Sequence, residues 1–500
     1  MIKNILRTIL VFLIGLNLTA QSFNGYVLYN PQNSQTTYLV DKDYNIAHTW
    51  SCNVNGNYTV FLKEDGNLLR QGVASGAQIN GAAAGGIIQE LDKNANVVWE
   101  FTYSAATYRS HHDFAVLPNG NVLLTAWETK TVAELAAAGY SGTSAKWPTH
   151  IVEVQRDGTG GKIVWEWHMW DHMIQDTDAG KPNYGVVKDH PELMNINVPS
   201  SARSGGPGGG GGDWFHVNGI DYNDSLDQIV FTTRYMSEVI IIDHSTTTAE
   251  AATHSGGKSG KGGDFLFRYG NPANYGSSAS KVVAGAVHDP RWIKEGRPNA
   301  GYIQFFNNVG GTNGSSVVQA INPKMELDGY NYTFSNGSFS PTSHNWQHQC
   351  KSNADGQSAS DRMTNGNTFV NLSRNYMYEV NSNDSIVWQY NEGPAKAFRY
   401  ECEYPGIIAL LNDPCNITSI NQLIKAPIGI TPNPSQGHFR ITGIDQTSSV
   451  DVSIYNLFGQ EVLHSVGKTE INNSNLPSGT YLVKVFTGQK AYYQKLVLLK

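Results

Sequence analysis

One pattern restricts this chain more than any other: a short strand ending on an aromatic residue returns six times. It reads NIAHTW at 45–50, NVVWEF at 96–101, KIVWEW at 162–167, DFLFRY at 264–269, YNYTFS at 330–335 and SIVWQY at 385–390. Most copies follow a strand such as IIQELD, HIVEVQ, VIIIDH or YMYEVN. Most precede a hairpin such as TVFLKEDGNLL, DFAVLPNGNVLL, GIDYNDSLDQIVF or DRMTNGNTFV. The turns EDGN, PNGN and TNGN put glycine where a tight hairpin needs positive φ. Four antiparallel strands cannot bury their own faces, so such units stack around an axis as propeller blades. The pattern predicts an all-β fold, a six-bladed β-propeller. The surplus over minimal blades falls in insertions, chiefly 171–212 with its SGGPGGGGG tract. That tract lacks the Gly-Lys-Ser/Thr ending of a phosphate loop and reads as a connector.

The two ends differ from the repeat. Lys3 and Arg7 precede an apolar run from Ile9 to Leu18, with Ala20 before a cleavage point, so residues 1–20 read as a signal peptide. The run is too short to span a bilayer stably. Gln21, not cysteine, follows the cut, which argues against a lipid anchor. No other stretch reads as a transmembrane segment. Residues 426–500 read as a small C-terminal β-sandwich, leaving 21–423 for the propeller. The four cysteines suit one or two disulfides in an exported protein, with Cys402 and Cys415 the preferred pair. The net charge of −7 without any basic run excludes nucleic acid as a partner, so cations for an anionic substrate must be local.

Aligning the hairpins puts three histidines in register. HHDFAVLPNGNVLLTAW, HVNGIDYNDSLDQIVFTTR and HDPRWIKEGRPNAGYIQFFNN open on His112, His216 and His288, and their second strands close on Trp127, Arg234 and Asn308. The fifth blade offers Ser358 and Arg374 at these places, and the first offers Tyr58. Strand alternation points His111 away from His112. Equivalent positions face one radial direction, so the three histidines and Arg234 are expected to share a central pocket. Neutral imidazole is a nucleophile near pH 7, and arginine offers a fixed fork of donors to an oxyanion.

At these residues the chain resembles the bacterial arylsulfate sulfotransferases, six-bladed propellers that move a sulfuryl group between phenols. HHDFAVLPNGNVLL, DWFHVNG, FTTRYMSEVIIIDHST, GKGGDFLFRYGNP, HDPRWI and FFNNVGG carry the likeness over most of 25–410. The resemblance implies an aryl sulfate donor, a phenolic acceptor and no cofactor. It implies His288 as nucleophile, with His112, His216 and Arg234 holding the sulfuryl group and Asn218 adding a polar contact. Asn308 and Arg374 complete the expected substrate-binding set, with Trp127, Trp214 or Tyr235 as an aromatic wall. The C-terminal segments PNPSQG, YNLFGQEV and LPSGTYLVKV resemble the type A sorting domain of the type IX secretion system. This implies export through the periplasm to the cell surface or beyond, with the secretion machinery as partner. Two other readings remain open: a metal-dependent hydrolase using the same three histidines, and a secreted binding propeller without catalysis.

Overall fold

The computed structural model describes residues 22–198, 212–283, 285–412, 414–415, 428–443, 450–456, 460–473, 475–487 and 490–499. The expected signal peptide, the glycine tract from 204 to 211 and the junction at 423–426 lie outside them. The described residues form two compact units, one ending at Pro414 and one beginning at Cys415.

The first unit is a propeller of six four-stranded antiparallel sheets. Blade one runs Gly56–Leu62, Leu68–Val73, Gly86–Leu91 and Val97–Thr102. Blade two runs Tyr108–Val116, Val122–Glu128, Thr149–Asp157 and Gly160–His168. Blade three comprises Val217–Asn223, Gln228–Thr233, Glu238–Asp243 and Phe265–Tyr269. Blade four comprises Val287–Trp292, Ile303–Asn307, Val317–Ile321 and Trp346–Gln349. Blade five comprises Ala359–Arg362, Thr368–Asn371, Met377–Val380 and Ile386–Tyr390. Blade six closes the ring by pairing Ala397–Glu401 with Gly25–Tyr29, which continues through Thr36–Asp41 to Ile46–Ser51. Both ends of the propeller segment therefore share one sheet, with Gly25–Tyr29 an interior strand of it.

The hairpin turns follow their sequence. Gly66, Gly120 and Gly366 adopt φ of +86°, +86° and +87°, each closing the turn between the first two strands of its blade. One strand departs from the repeat. YNYTFS does not supply the outer strand of blade four. Val317–Ile321 pairs instead with Trp346–Gln349, and 330–335 lies in an excursion where Phe334–Ser335 pairs with Ser338–Phe339. The aromatic spacing is right, but Tyr332 is spent on a different contact: it packs against Phe267 of blade three.

The apolar cores lie between neighbouring blades. Leu124, Val152 and Trp99 fill the space between blades one and two, and Ile241, Phe267 and Phe305 that between blades three and four. Cys402 and Cys415 are disulfide-bonded, whereas Cys52 and Cys350 are buried free thiols. No helix among the described residues is long and apolar enough to cross a membrane.

The second unit is a β-sandwich. A three-stranded sheet contains His438–Thr442, and a four-stranded sheet contains Val450–Tyr455, Gly479–Thr487 and Lys490–Leu498. Phe439, Ile441, Val452, Ile454, Val483 and Leu496 fill its core.

Candidate functional site

The inner strands of blades one to four all break register near their starts. The breaks fall between Gly56 and Val60, Ser110 and Phe114, Val217 and Gly219, and His288 and Arg291. A bulge adds unpaired residues to one strand and re-aims their side chains. His112 sits inside its bulge with φ +50°, and His216 sits just ahead of its own with φ +52°. This overturns the alternation expected for His111 and His112: their Nδ1 atoms lie 2.8 Å apart. The left-handed backbone at His112 swings its ring back to its neighbour.

The bulges also change which residues answer each other across the hairpins. Arg234 N–H donates to the His216 carbonyl at 3.1 Å, but Asn308 N–H donates to the Ala286 carbonyl at 3.2 Å. His288 therefore sits two residues deeper than the hairpin alignment puts it. Trp127 pairs with Arg109, not with His112.

The rings of His112 and His216 are 4.6 Å apart, centroid to centroid, at 71°. Tyr58 approaches His112 edge-on at 5.8 Å, and Tyr235 lies 4.7 Å from His216. The Arg234 guanidinium sits 5.9 Å from the Tyr235 ring. The Asp213 carboxylate grips His216 twice, Oδ2 at 2.6 Å from Nδ1 and Oδ1 accepting the backbone N–H at 3.2 Å. Trp127 Nε1 donates to Oδ1 of the same carboxylate at 3.1 Å, while its ring stacks on His111 at 4.0 Å. Burial opposes a charged Asp213, but the His216 contacts win and hold its pKa below the ordinary carboxylate value.

All three histidines are buried. Burial first, then Arg234, His216 and Lys396, push the His288 pKa well below the usual imidazole value. Burial first, then His216, His111, His288 and Lys396, do the same to His112. Both rings are thus neutral at ordinary pH, and both feel His216 and Lys396. Nδ1 of His288 is buried with no hydrogen-bond partner.

Beside this cluster lies an ionic node that joins every blade. Lys396, fully buried just ahead of the inner strand of blade six, donates to Asp113 Oδ2 at 2.5 Å and Asp289 Oδ1 at 2.9 Å. These carboxylates belong to blades two and four and follow His112 and His288 directly. Blades two, four and six alternate around the ring, so their meeting point lies on the propeller axis. Thr59 of blade one donates to Asp113 at 2.6 Å, and Ile220 N–H of blade three does so at 3.0 Å. Ser360 N–H of blade five donates to Asp289 at 3.1 Å.

Residues 87–398 match the family described as Arylsulfotransferase (ASST). The chain belongs to this family. Residues 429–499 match the secretion system C-terminal sorting domain, which marks the protein for export to the cell surface or beyond. Among solved structures the chain is similar to a protein of unknown function from Bacteroides caccae, at 10% identity, covering 75% of this chain and 98% of that one, TM-score 0.41. It is similar to the periplasmic gluconolactonase of Pseudomonas aeruginosa at 10% identity, with coverage of 75% and 98%, TM-score 0.39. It is also similar to the Dos1 propeller at 10% identity, with coverage of 96% and 93%, TM-score 0.31. The site's chemistry rests on none of these three. No curated protein matches the chain. As an arylsulfotransferase, the chain is a sulfotransferase of small molecules.

The remaining expected residues scatter around this cluster. Asn218 is buried between blades, donating to the Val287 carbonyl at 2.9 Å and accepting from Thr232 at 2.8 Å. It braces the strand that carries His288. Asn308 donates to the carbonyls of Ala354 and Gly356, and its Oδ1 is buried without a partner. Arg374 is exposed and lines a cavity of about 160 Å³ with Tyr58 and Gln357. Trp214 is core, packed on Phe215 and Tyr140, and takes no part in an aromatic wall. A cavity of about 1370 Å³ opens elsewhere, against the excursion from Trp170 to Leu193.

Sequence reasoning missed Asp213, Asp113, Asp289 and Lys396. The dipeptide His-Asp at 112–113 and 288–289 was a legible signal, as was an aspartate three residues before His216. Lys396 carried none, because its partners are 283 and 107 residues away. Among the described residues, two groups of histidines and acids bring ligand atoms together as a metal site would, Glu128–His150–His168 and His172–His254–Asp264. The histidines of the central cluster do not form such a group.

Proposed function

We propose that the protein transfers a sulfuryl group from an aryl sulfate to a phenol through a covalent sulfo-histidine on His288. The observation that carries this reading is a neutral, buried His288 with an unpartnered ring nitrogen, in one neighbourhood with Arg234, His216 and His112. A ring nitrogen of His288 attacks sulfur as the S–O bond to the aryl group breaks. The phenolate leaves with the bonding pair and takes a proton from His216. Asp213, fixed on Nδ1, leaves Nε2 of His216 for this work and balances the charge while the proton is held there. Arg234 donates to the sulfuryl oxygens as their charge shifts. The acceptor phenol then attacks sulfur, the N–S bond breaks, and its proton returns to His216. A covalent intermediate makes the kinetics ping-pong. Tyr235 is the proposed aromatic wall, Asn308 and Arg374 the outer polar contacts, and Asn218 a brace behind the strand that carries His288.

Residues 1–20 are the proposed signal peptide, 21–423 the transferase domain and 426–500 a separable sorting domain.

The test is an incubation with an aryl sulfate, with and without an added phenol, followed by mass spectrometry of digests quenched rapidly and kept out of acid. H288A is expected to abolish both transfer and labelled protein. H112A, H216A and R234A each slow turnover by about 10²–10³, the usual cost of losing one charge-stabilising donor, and keep the label. A sulfuryl group on the peptide containing His216, with none on that containing His288, overturns the assignment.

A further inference from the structure

The glycine-rich segment HSGGKSGKGGD, ahead of the last strand of blade three, has no role in the transfer proposed above. Its backbone is nevertheless wound tightly, with φ of +113°, +65°, +73° and +59° at Gly256, Gly257, Gly260 and Gly262. A Cβ at Gly262 would lie 2.2 Å from the Thr253 carbonyl oxygen. A Cβ at Gly263 would lie 2.1 Å from the Ala251 carbonyl oxygen and 2.6 Å from Nε2 of His172. Only glycine permits this path, and the path delivers two side chains to one point, His254 from its start and Asp264 from its end.

There they meet His172, which ends the short helical turn Met169–His172 after blade two. Nδ1 of His172 and Nδ1 of His254 each lie 2.8 Å from the same oxygen, Asp264 Oδ1. The other nitrogen of His172 faces the Ala251 carbonyl at 2.8 Å. A carbonyl only accepts, so Nε2 of His172 donates to it, and the ring turns its Nδ1 edge to the Asp264 carboxylate. The ligand atoms of His172, His254 and Asp264 all lie within 4.8 Å of one another, as those around a bound ion do. The Ala251 carbonyl does what partners of metal-bound histidines do, fixing the tautomer and the ring plane. Trp167 lies parallel to His172 at 5.6 Å, and its Nε1 donates to the Gly263 carbonyl at 2.7 Å. His172 and Asp264 are buried, while the His254 side chain is 61% exposed. His254 and Asp264 also line the 1370 Å³ cavity, beside Trp170, Asp171 and Lys261.

We propose that His172, His254 and Asp264 bind a divalent metal of the zinc class, with a fourth position open to water from the cavity. Two imidazoles and one carboxylate suit such an ion. The ion clips the Met169–His172 turn to the glycine-rich loop, outside the sulfuryl-transfer centre. The second convergent group is a weaker match, because the Lys130 ammonium already lies 2.8 Å from Glu128 there.

The test is calorimetric titration of zinc chloride into full-length protein stripped with a chelator and dialysed. One equivalent is expected to bind and to raise the melting temperature. H254A, an exposed substitution, and D264N weaken binding by more than about 100-fold, beyond what changing an outer partner costs. E128Q leaves it unchanged, and circular dichroism verifies that each variant is folded. Absence of zinc binding, wild-type affinity in H254A or D264N, or loss in E128Q instead would each overturn the site.

Discussion

Burial decides the protonation of four histidines in the propeller. It pushes the pKa of His111 and His150 to about 3 and that of His112 and His288 well below the usual value. In the unfolded chain all four titrate near 6.5. Below that pH the unfolded chain takes up protons that the folded chain refuses, so stability falls as the pH drops. Each such histidine contributes about 1.4 kcal/mol per pH unit across this window. His244 acts in the opposite sense. Burial lowers its pKa, but hydrogen bonds to Asp227 and Glu153 outweigh this and raise it to about 9. Its contribution is full below 6.5 and is lost as the pH rises through 9. The urea midpoint is therefore expected to fall steeply from pH 6.5 toward pH 4. A midpoint that stays flat over that range would falsify the buried-neutral assignment.

At the scale of elements, the closing strand and the ionic node act together. Ala397–Glu401 joins the last blade to Gly25–Tyr29 by backbone pairing, and Lys396 ties the same strand to blades two and four. Arg291 gives Asp289 a second cation, with two contacts at 3.0 Å. Asp113 has no such substitute among the described residues. K396M is accordingly expected to lower unfolding stability by about 3–5 kcal/mol, the cost of leaving one buried charge without its partner. The double variant K396M/D113N should recover part of the loss. Denaturant unfolding measures both. If the single variant loses less than about 1 kcal/mol, the node is solvated in solution and contributes no more than a surface pair does.

At the scale of the whole molecule, closure of the ring ends before the sorting domain begins. The closing strand, Cys402 and Cys415 all precede residue 426. Deleting residues from Ala426 onward is expected to leave a folded, active propeller and to stop its export. Deleting from Lys396 onward removes the inner strand of blade six and should leave no folded propeller. Activity and circular dichroism of the purified proteins, with fractionation of cells making them, separate the two. A chain cut at Ala426 that no longer folds would make the C-terminal residues part of the propeller's core.

The sequence by itself determined most of the blades, because all but the sixth, which joins the two ends of the segment, are built from neighbours in the chain. Strands such as Ile240 to Ile242 announce burial, and Gly66, Gly120 and Gly366 announce turns, through rules that reach only a few residues. Even so, blade four's outer strand escaped the rule. The choice between Tyr332 and Trp346 depends on which segment reaches Val317–Ile321, and the chain between them is long enough for either. Proximity in hairpins likewise put His112, His216 and His288 forward together. Only the tertiary structure decided how they meet. Bulges of unequal length, and left-handed φ at His112 and His216, turn those rings to 4.6 Å and set His288 two residues deeper. Asp213 was within local reach of His216, but Lys396 was not. Its two carboxylates come from alternate blades, and a contact on the axis exists only once all six blades have closed around it.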